Sequence, residues 1–444
     1  MKRVIFWGWS EPDLIEVVKS FISRIGVELV DWIGDTSEAT KSYVEFLYNP
    51  PDLGKFQGVK SIQDLTSDEK IKFLDMFSRE KRARGLDYHE QMNLAKSYFR
   101  YFVWHLSCQR VTHVYFSIVP IIGIDYLCYL AAKRLGINVT MCYQSIFPNR
   151  FFYCDSIEDF GLFTSASPIE LNDKPIIDWG YKKDLFYMKG TVRMNRQINP
   201  IWRFFRESLR YGIRKSSKPM LFSGVIQNFV QAKEFNSTYP IHAKSTEELN
   251  KNANYVYFPL HLQPELTTTG LGGSYSDQID AIERLAEMIP DGWLIYAKEN
   301  PKQGHEQRGV EFFRRLATIG NVVYIDKHVD TYWLMENSQF VATITGTAGW
   351  EAITGGKACL VFGLAWYRSL PGAVGYSKDI RISDILEIRL DRAEQVFAFD
   401  DLIARTRAGV VDKVYVDIYK DYESSSNVKA ILDFLDETVT QKLD

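Results

Sequence analysis

Apolar residues along this chain fall into two patterns: short continuous runs, and longer stretches in which they recur every three or four positions. Val4 to Trp7 is a run, followed by a helix-period stretch from Asp13 to Arg24 and a second run from Val27 to Ile33. Residues 34–85 are charged and less regular, and read as an insertion with short helices. An amphipathic stretch from Tyr88 to Leu106 leads into VTHVYFSI, a helix from Ile124 to Leu135 closed by Gly136, and the run INVTMCY. Strand, helix and strand at this spacing predict a βαβ unit, and so a parallel sheet.

The second half alternates more regularly. YVYFPL (255–260), WLIYAKE, NVVYID, QFVATIT and ACLVFG read as strands. Between them the period predicts helices over 277–289, capped by Ser274 or Ser276, then over 306–318, 330–337 and AGWEAITGG. Five strands separated by four helices predict a doubly wound sheet with its ligand crevice at the strand C-termini. The basic, aromatic segment 193–218 reads either as an interdomain helix with Trp202, Phe205 and Leu209 packed inward or as a patch for anionic lipid headgroups.

At 444 residues the chain exceeds what one core supports. The expected division is an N-terminal Rossmann-like, acceptor-binding domain over 1–215 and a C-terminal nucleotide-sugar-binding Rossmann-like domain over 216–425. A helix over 426–444 is expected to pack back on the first. This is α/β of the GT-B class, two Rossmann-like domains facing each other across a cleft. Transferases and some epimerases share it, so fold alone does not settle chemistry.

Composition narrows the function further. A net charge of −3 gives no reason to expect nucleic acid. Five cysteines, an odd number without CxxC pairing, argue against a disulfide framework or zinc site and fit a reducing cytosol. The opening MKRVIFWGWSEPD is broken by Gly8, Ser10, Glu11 and Pro12 too early for a signal peptide, and no run is long enough to span a membrane. The expected location is cytoplasmic, with peripheral association at the inner face of the membrane as the furthest extension.

Three segments fall at strand ends of the second sheet. FPLHLQPELTTTGLGG (258–273) places His261, Gln263 and Glu265 just after a strand, where a carboxylate is otherwise a structural acceptor or cap. YAKENPK (296–302) ends a strand on Lys298, which offsets phosphate charge or is merely solvated. In TITGTAGWEAITGGK (343–357), Thr345, Gly346, Thr347 and Ala348 form a strand-to-helix turn offering backbone N–H groups to a phosphate, or simply a tight packing turn. Glu351 lies one helical turn on, placed to accept from ribose hydroxyls. Arg150 and Arg368 are candidates for a donor carboxylate, with Glu158 beside them as an acceptor contact. No metal or other cofactor is implied, since no DxD-like pair sits in a convincing place.

Residues 255–372, FPLHLQPE…GW.IYAKENP…TITGTAGWEAITGGKACLVFG, resemble the C-terminal half of the bacterial capsule-polysaccharide transferases that use CMP-Kdo, the retaining β-Kdo family. IFPNRFF…IEDFG (146–161) resembles a segment of that family's N-terminal domain. The resemblance implies a covalent nucleophile after the first strand of the second domain, which falls on Glu265. It also implies a phosphate-contacting Lys-x-His-Pro turn, here Lys298, Asn300 and Pro301, and a Ser/Thr-rich turn, here Thr345 and Thr347. Asn300 replaces the usual histidine and Glu265 stands where aspartate is expected, which puts the exact donor in doubt. The expected partners are a CMP-sugar donor and an oligosaccharide or glycolipid acceptor, with His261 deprotonating the acceptor. The alternatives are an NDP-hexose transferase or sugar-nucleotide epimerase of the same fold, and a non-catalytic binding protein of capsule assembly.

Overall fold

The computed structural model describes residues 1–51, 62–78, 80, 83, 86–171, 173–182, 220–263, 266–305, 308–416, 419 and 421–440. Two sheets organise it. The first holds β1 (Lys2–Trp7), β2 (Val27–Gly34), β3 (Lys41–Ser42), β4 (His113–Phe116), β5 (Asn138–Gln144) and β6 (Arg150–Cys154). The second holds β7 (Tyr255–Pro259), β8 (Leu294–Lys298), β9 (Val322–Ile325), β10 (Val341–Thr343), β11 (Cys359–Val361) and β12 (Ala373–Gly375). The short β13 (Arg407–Ala408) then returns to the first sheet, whose order is β13-β6-β5-β4-β1-β2-β3; the second runs β12-β11-β10-β7-β8-β9.

In both sheets the chain starts at a central strand, runs to one edge, then crosses to build the other side. The direction reverses between β1 and β4 in the first sheet and between β7 and β10 in the second. Such switch points open a crevice at the strand C-termini. All pairs of the second sheet are parallel, and in the first only β6 is reversed, running antiparallel to both its neighbours, β5 and β13. Burial on both faces explains the near-continuous apolar runs. Tyr255, Tyr257 and Tyr296 pack into one layer, while Val256, Phe258, Ile295 and Ala297 pack into the other.

The carboxyl ends of the two sheets meet. Helix Leu266–Leu271, after β7, lies against the loop after β4: a Cβ on Gly270 would sit 2.8 Å from the Ile121 Cγ2. A second junction is aromatic, with Phe147 from the first unit 5.6 Å from Trp366 and 5.2 Å from Phe399, and Trp350 stacked 5.6 Å from Phe399. These are two Rossmann-like units in the GT-B arrangement.

Several expectations are corrected. The chain returns to the first sheet at β13, well before residue 426, because Arg407 and Ala408 pair with Phe151 and Arg150. Arg407 is further tied to Glu437, on helix Ser424–Thr440. That helix packs on Pro12–Ile22, where Asp13 accepts hydrogen bonds from Tyr422, Ser424 (2.7 Å) and Asn427 (3.0 Å). The cap of helix Gln278–Met288 is Asp277, whose carboxylate accepts from the Ile279 N–H at 3.0 Å, rather than Ser274 or Ser276. A sixth strand, β12, extends the second sheet, and β6 forms from the NRFF stretch. Segment 193–218 lies outside the described residues. Among the described residues no helix is long and apolar enough to cross a membrane.

Candidate functional site

The switch point of the second sheet lies between the ends of β7 and β10, and His261 closes it. Its Nε2 lies 3.1 Å from the Thr343 hydroxyl and accepts the Thr345 N–H at 3.3 Å. The Thr343 hydroxyl in turn accepts the Gly346 N–H at 3.3 Å. Two amides of the strand-to-helix turn are therefore directed inward. His261 is 7% exposed, with the ring edge expected to serve the acceptor committed to the turn. His261, expected to deprotonate the acceptor, and the Gly346 amide, expected to meet a phosphate, both bond within the turn here.

Gln263 is likewise engaged by both backbone and side chain. Its backbone N–H donates to the Gln303 Oε1 at 2.8 Å, and its carbonyl accepts from the Gln303 Nε2 at 2.9 Å. Its side chain donates to the Ser276 carbonyl at 3.0 Å and accepts from Arg308 at 2.6 Å. Sequence reasoning missed Arg308 and its partner Glu299, both with fully buried side chains. The only signal was a charge directly after a buried strand and another just before an apolar helix. Pro264 and Glu265 lie outside the described residues.

Lys298 ends β8 and is 4% exposed. Its Nζ donates to the Thr331 hydroxyl at 2.8 Å. Among the described residues no carboxylate oxygen lies within ion-pair distance of it. Burial lowers the Lys298 pKa below the ordinary lysine value, against an opposing pull from Asp326, Asp330 and Glu299. Asp330 is held as the cap of helix Thr331–Asn337, accepting from the Tyr332 N–H at 2.9 Å. Asn300 shapes the turn: its Oδ1 accepts the Lys302 N–H at 3.0 Å, its carbonyl accepts the Gln303 N–H at 2.9 Å, and Pro301 sits between.

Two strands across, at the end of β10, the Thr345 hydroxyl is buried with no partner among the described residues. Thr347 and Ala348, half-buried, open helix Ala348–Thr354, on which Glu351 is buried near Tyr257 and Tyr367. Strand register therefore brings Lys298, the 259–261 segment and Thr343–Thr345 to three adjacent strand ends, as the sequence predicts.

The arginine candidates separate. Arg150 donates to the Asp173 carbonyl at 2.7 Å and the Thr406 hydroxyl at 3.3 Å, beside the β6–β13 pairing. Arg368 donates to the backbone carbonyl of Glu158, joining the loop after β6 to the loop after β11. Burial lowers both arginine pKa values from the usual one. The structure thus unites Arg368 and Glu158 and leaves Arg150 elsewhere.

Residues 216–382 match the family model described as capsule polysaccharide biosynthesis protein. No curated protein matches the chain. Among solved structures it is similar to the beta Kdo 2,7 transferase of Thermosulfurimonas dismutans KpsC, at 9% identity and TM-score 0.36, covering 98% of this chain and 100% of that one. It is also similar to the beta Kdo 2,4 transferase of the same KpsC, at 12% and 0.30, over 67% and 82%. UDP-GlcNAc 2-epimerase from Neisseria meningitidis bound to UDP-GlcNAc follows at 12% and 0.24, over 98% and 100%. Likenesses this weak carry no argument about activity. Over residues 216–382, then, the chain resembles the capsule polysaccharide biosynthesis proteins.

Proposed function

We propose that this chain is a glycosyltransferase that moves an ulosonic acid, Kdo or a relative, from a CMP-activated donor to a surface-polysaccharide or glycolipid acceptor. The observation that carries the reading is Lys298: a buried ammonium at the switch-point crevice whose partner among the described residues is a threonine hydroxyl, with the buried Thr345 hydroxyl two strands away. A buried cation without a counterion is costly, and an anionic ligand offsets that cost. The phosphate of CMP supplies the anion. Lys298 and the hydroxyls of Thr345 and Thr347 would stabilise the charge that grows on it as the bond to the sugar breaks.

In this reading the Glu265 carboxylate attacks the anomeric carbon as CMP departs with the bonding electrons. An acceptor hydroxyl, presented from the N-terminal unit, then displaces Glu265 as the free carboxylate and passes its proton to solvent water, so that configuration is retained overall. The role of Glu265 rests on the family resemblance. CMP is already an acidic leaving group, so the reaction as proposed runs without a metal. Such a transferase would act in the cytoplasm, beside the inner face of the membrane where a lipid-linked acceptor is extended.

The test is a donor panel: CMP-Kdo, a CMP-linked nine-carbon ulosonic acid and UDP-hexoses, with released nucleotide and sugar product followed by chromatography. Release from a CMP donor, reduced in Lys298→Met, is expected. A UDP-sugar epimerised without acceptor, and no turnover of any CMP donor, would replace this reading with the epimerase.

A further inference from the structure

Arg308 and Glu299 form a fully buried ion pair that no step above uses. Arg308 Nε lies 2.7 Å from the Glu299 Oε2 and Nη2 lies 3.3 Å from Oε1, and the guanidinium lies over the Phe312 ring at 4.4 Å. Glu299 also accepts from the Tyr324 hydroxyl and from the Asn300 N–H, each at 2.7 Å. It directly follows Lys298, so these bonds fix the end of β8 and the turn beyond it.

The other side of Arg308 reaches the loop after β7. Nη2 donates to the His261 carbonyl at 3.1 Å and Nη1 to the Gln263 side chain at 2.6 Å. Residues 260–263 have no regular structure, and side chains hold the backbone of His261 and Gln263 instead. Gln278 bonds the His261 N–H (2.6 Å) and carbonyl (3.1 Å), as Gln303 does for Gln263. A buried ion pair contributes little net stability against an apolar replacement, so its presence calls for another reason. Arg308 has the planar fork to serve a carboxylate and two loop acceptors at once; lysine, a point charge on a flexible stem, does not.

We infer that Arg308 is a positioning residue for the transfer reaction: paired with Glu299, it locks the 261–263 segment, two residues short of Glu265 in sequence, to the strand end that carries Lys298. The inference rests on the donor reading above. It separates binding from chemistry, because Lys298, Thr345 and Thr347 hold the nucleotide while the brace fixes the 261–263 backbone, from which the chain runs on to the proposed nucleophile.

The experiment compares wild type, Arg308→Lys and Gln263→Met, measuring CMP affinity by calorimetry and steady-state turnover of CMP-Kdo. Gln263→Met keeps the Arg308–Glu299 pair and removes only the links to the loop side chain, so it decides the matter if Arg308→Lys does not fold. CMP affinity is expected to stay within about threefold of wild type. Turnover is expected to drop about 100-fold in Arg308→Lys and about tenfold in Gln263→Met, the scale of a misplaced reacting group. A folded variant with wild-type kcat overturns the inference, as does a loss of CMP binding in proportion to the loss of turnover. If the wild type turns over no CMP donor, the donor reading is what fails, and the same comparison is made on the nucleotide sugar that it does accept.

Discussion

Replacing Lys298 with methionine should move stability and binding in opposite directions. The ammonium is 4% exposed, donates to Thr331 at 2.8 Å, and has no ion-pair partner among the described residues. Methionine nearly conserves the volume and needs no solvation. The desolvation cost of a buried charge amounts to several kcal/mol before compensation. Taking it away should leave stability unchanged or raise it by about 1–2 kcal/mol, after allowing for the lost Thr331 bond and imperfect packing. The nucleotide, by contrast, loses a charge-assisted contact worth about 1.5–3 kcal/mol, so the CMP dissociation constant should rise about 10–100-fold. Calorimetric titration with CMP and thermal melting, run on both proteins, read the two effects. pH adds a third reading. Burial lowers the Lys298 pKa in the folded chain, whereas an unfolded lysine titrates near its ordinary value of about 10.4. Between the two values the unfolded chain holds more protons, so this residue makes wild-type stability rise with pH across that window, and Lys298→Met should lack that rise. A variant that melts several degrees lower and binds CMP unchanged would refute the reasoning and make Lys298 a structural residue.

Thr345→Val removes a buried hydroxyl with no partner among the described residues, so melting should be unchanged or slightly higher, while CMP affinity falls about tenfold, which the same titration checks. Gly161→Ala should destabilise by more than about 1–3 kcal/mol in urea unfolding, because φ is +87° and a Cβ would lie 2.1 Å from the Ala365 carbonyl oxygen across the junction of the two units. Asp13→Ala strips the acceptor shared by Tyr422, Ser424 and Asn427, and should free the C-terminal helix to proteolysis while leaving CMP binding intact.

How legible the fold was depends on whether local pattern or tertiary pairing decides an element. β7 through β11 are buried on both faces, so they appear as apolar runs, and the order of those runs was enough to predict a doubly wound sheet with a ligand crevice at its strand ends. β13 is two residues, Arg407 and Ala408, and exists because β6 offers it an edge; no local pattern marks it. The cap of helix Gln278–Met288 fell to the nearest side chain able to reach the first turn, Asp277, over two serines of similar propensity.

Within the candidate site, the strand-end placement of Lys298 and Thr345 was legible, because parallel topology brings successive strand ends together whatever the loops do. It did not show that Gln263 and His261 are bonded into the scaffold of the site. Their partners, Arg308, Gln303, Gln278 and Thr343, lie 17 to 82 positions away in sequence, and side-chain bonds of that reach leave no periodic trace.

The most direct test of the central claim is intact-protein mass spectrometry after incubation with CMP-Kdo, or a CMP-linked nine-carbon ulosonic acid, in the absence of acceptor. The account predicts a mass gain of one sugar residue on the wild type, no gain on Glu265→Gln, and a gain from no UDP-sugar. An unmodified wild type with every CMP donor, together with turnover of a UDP-sugar, would contradict it.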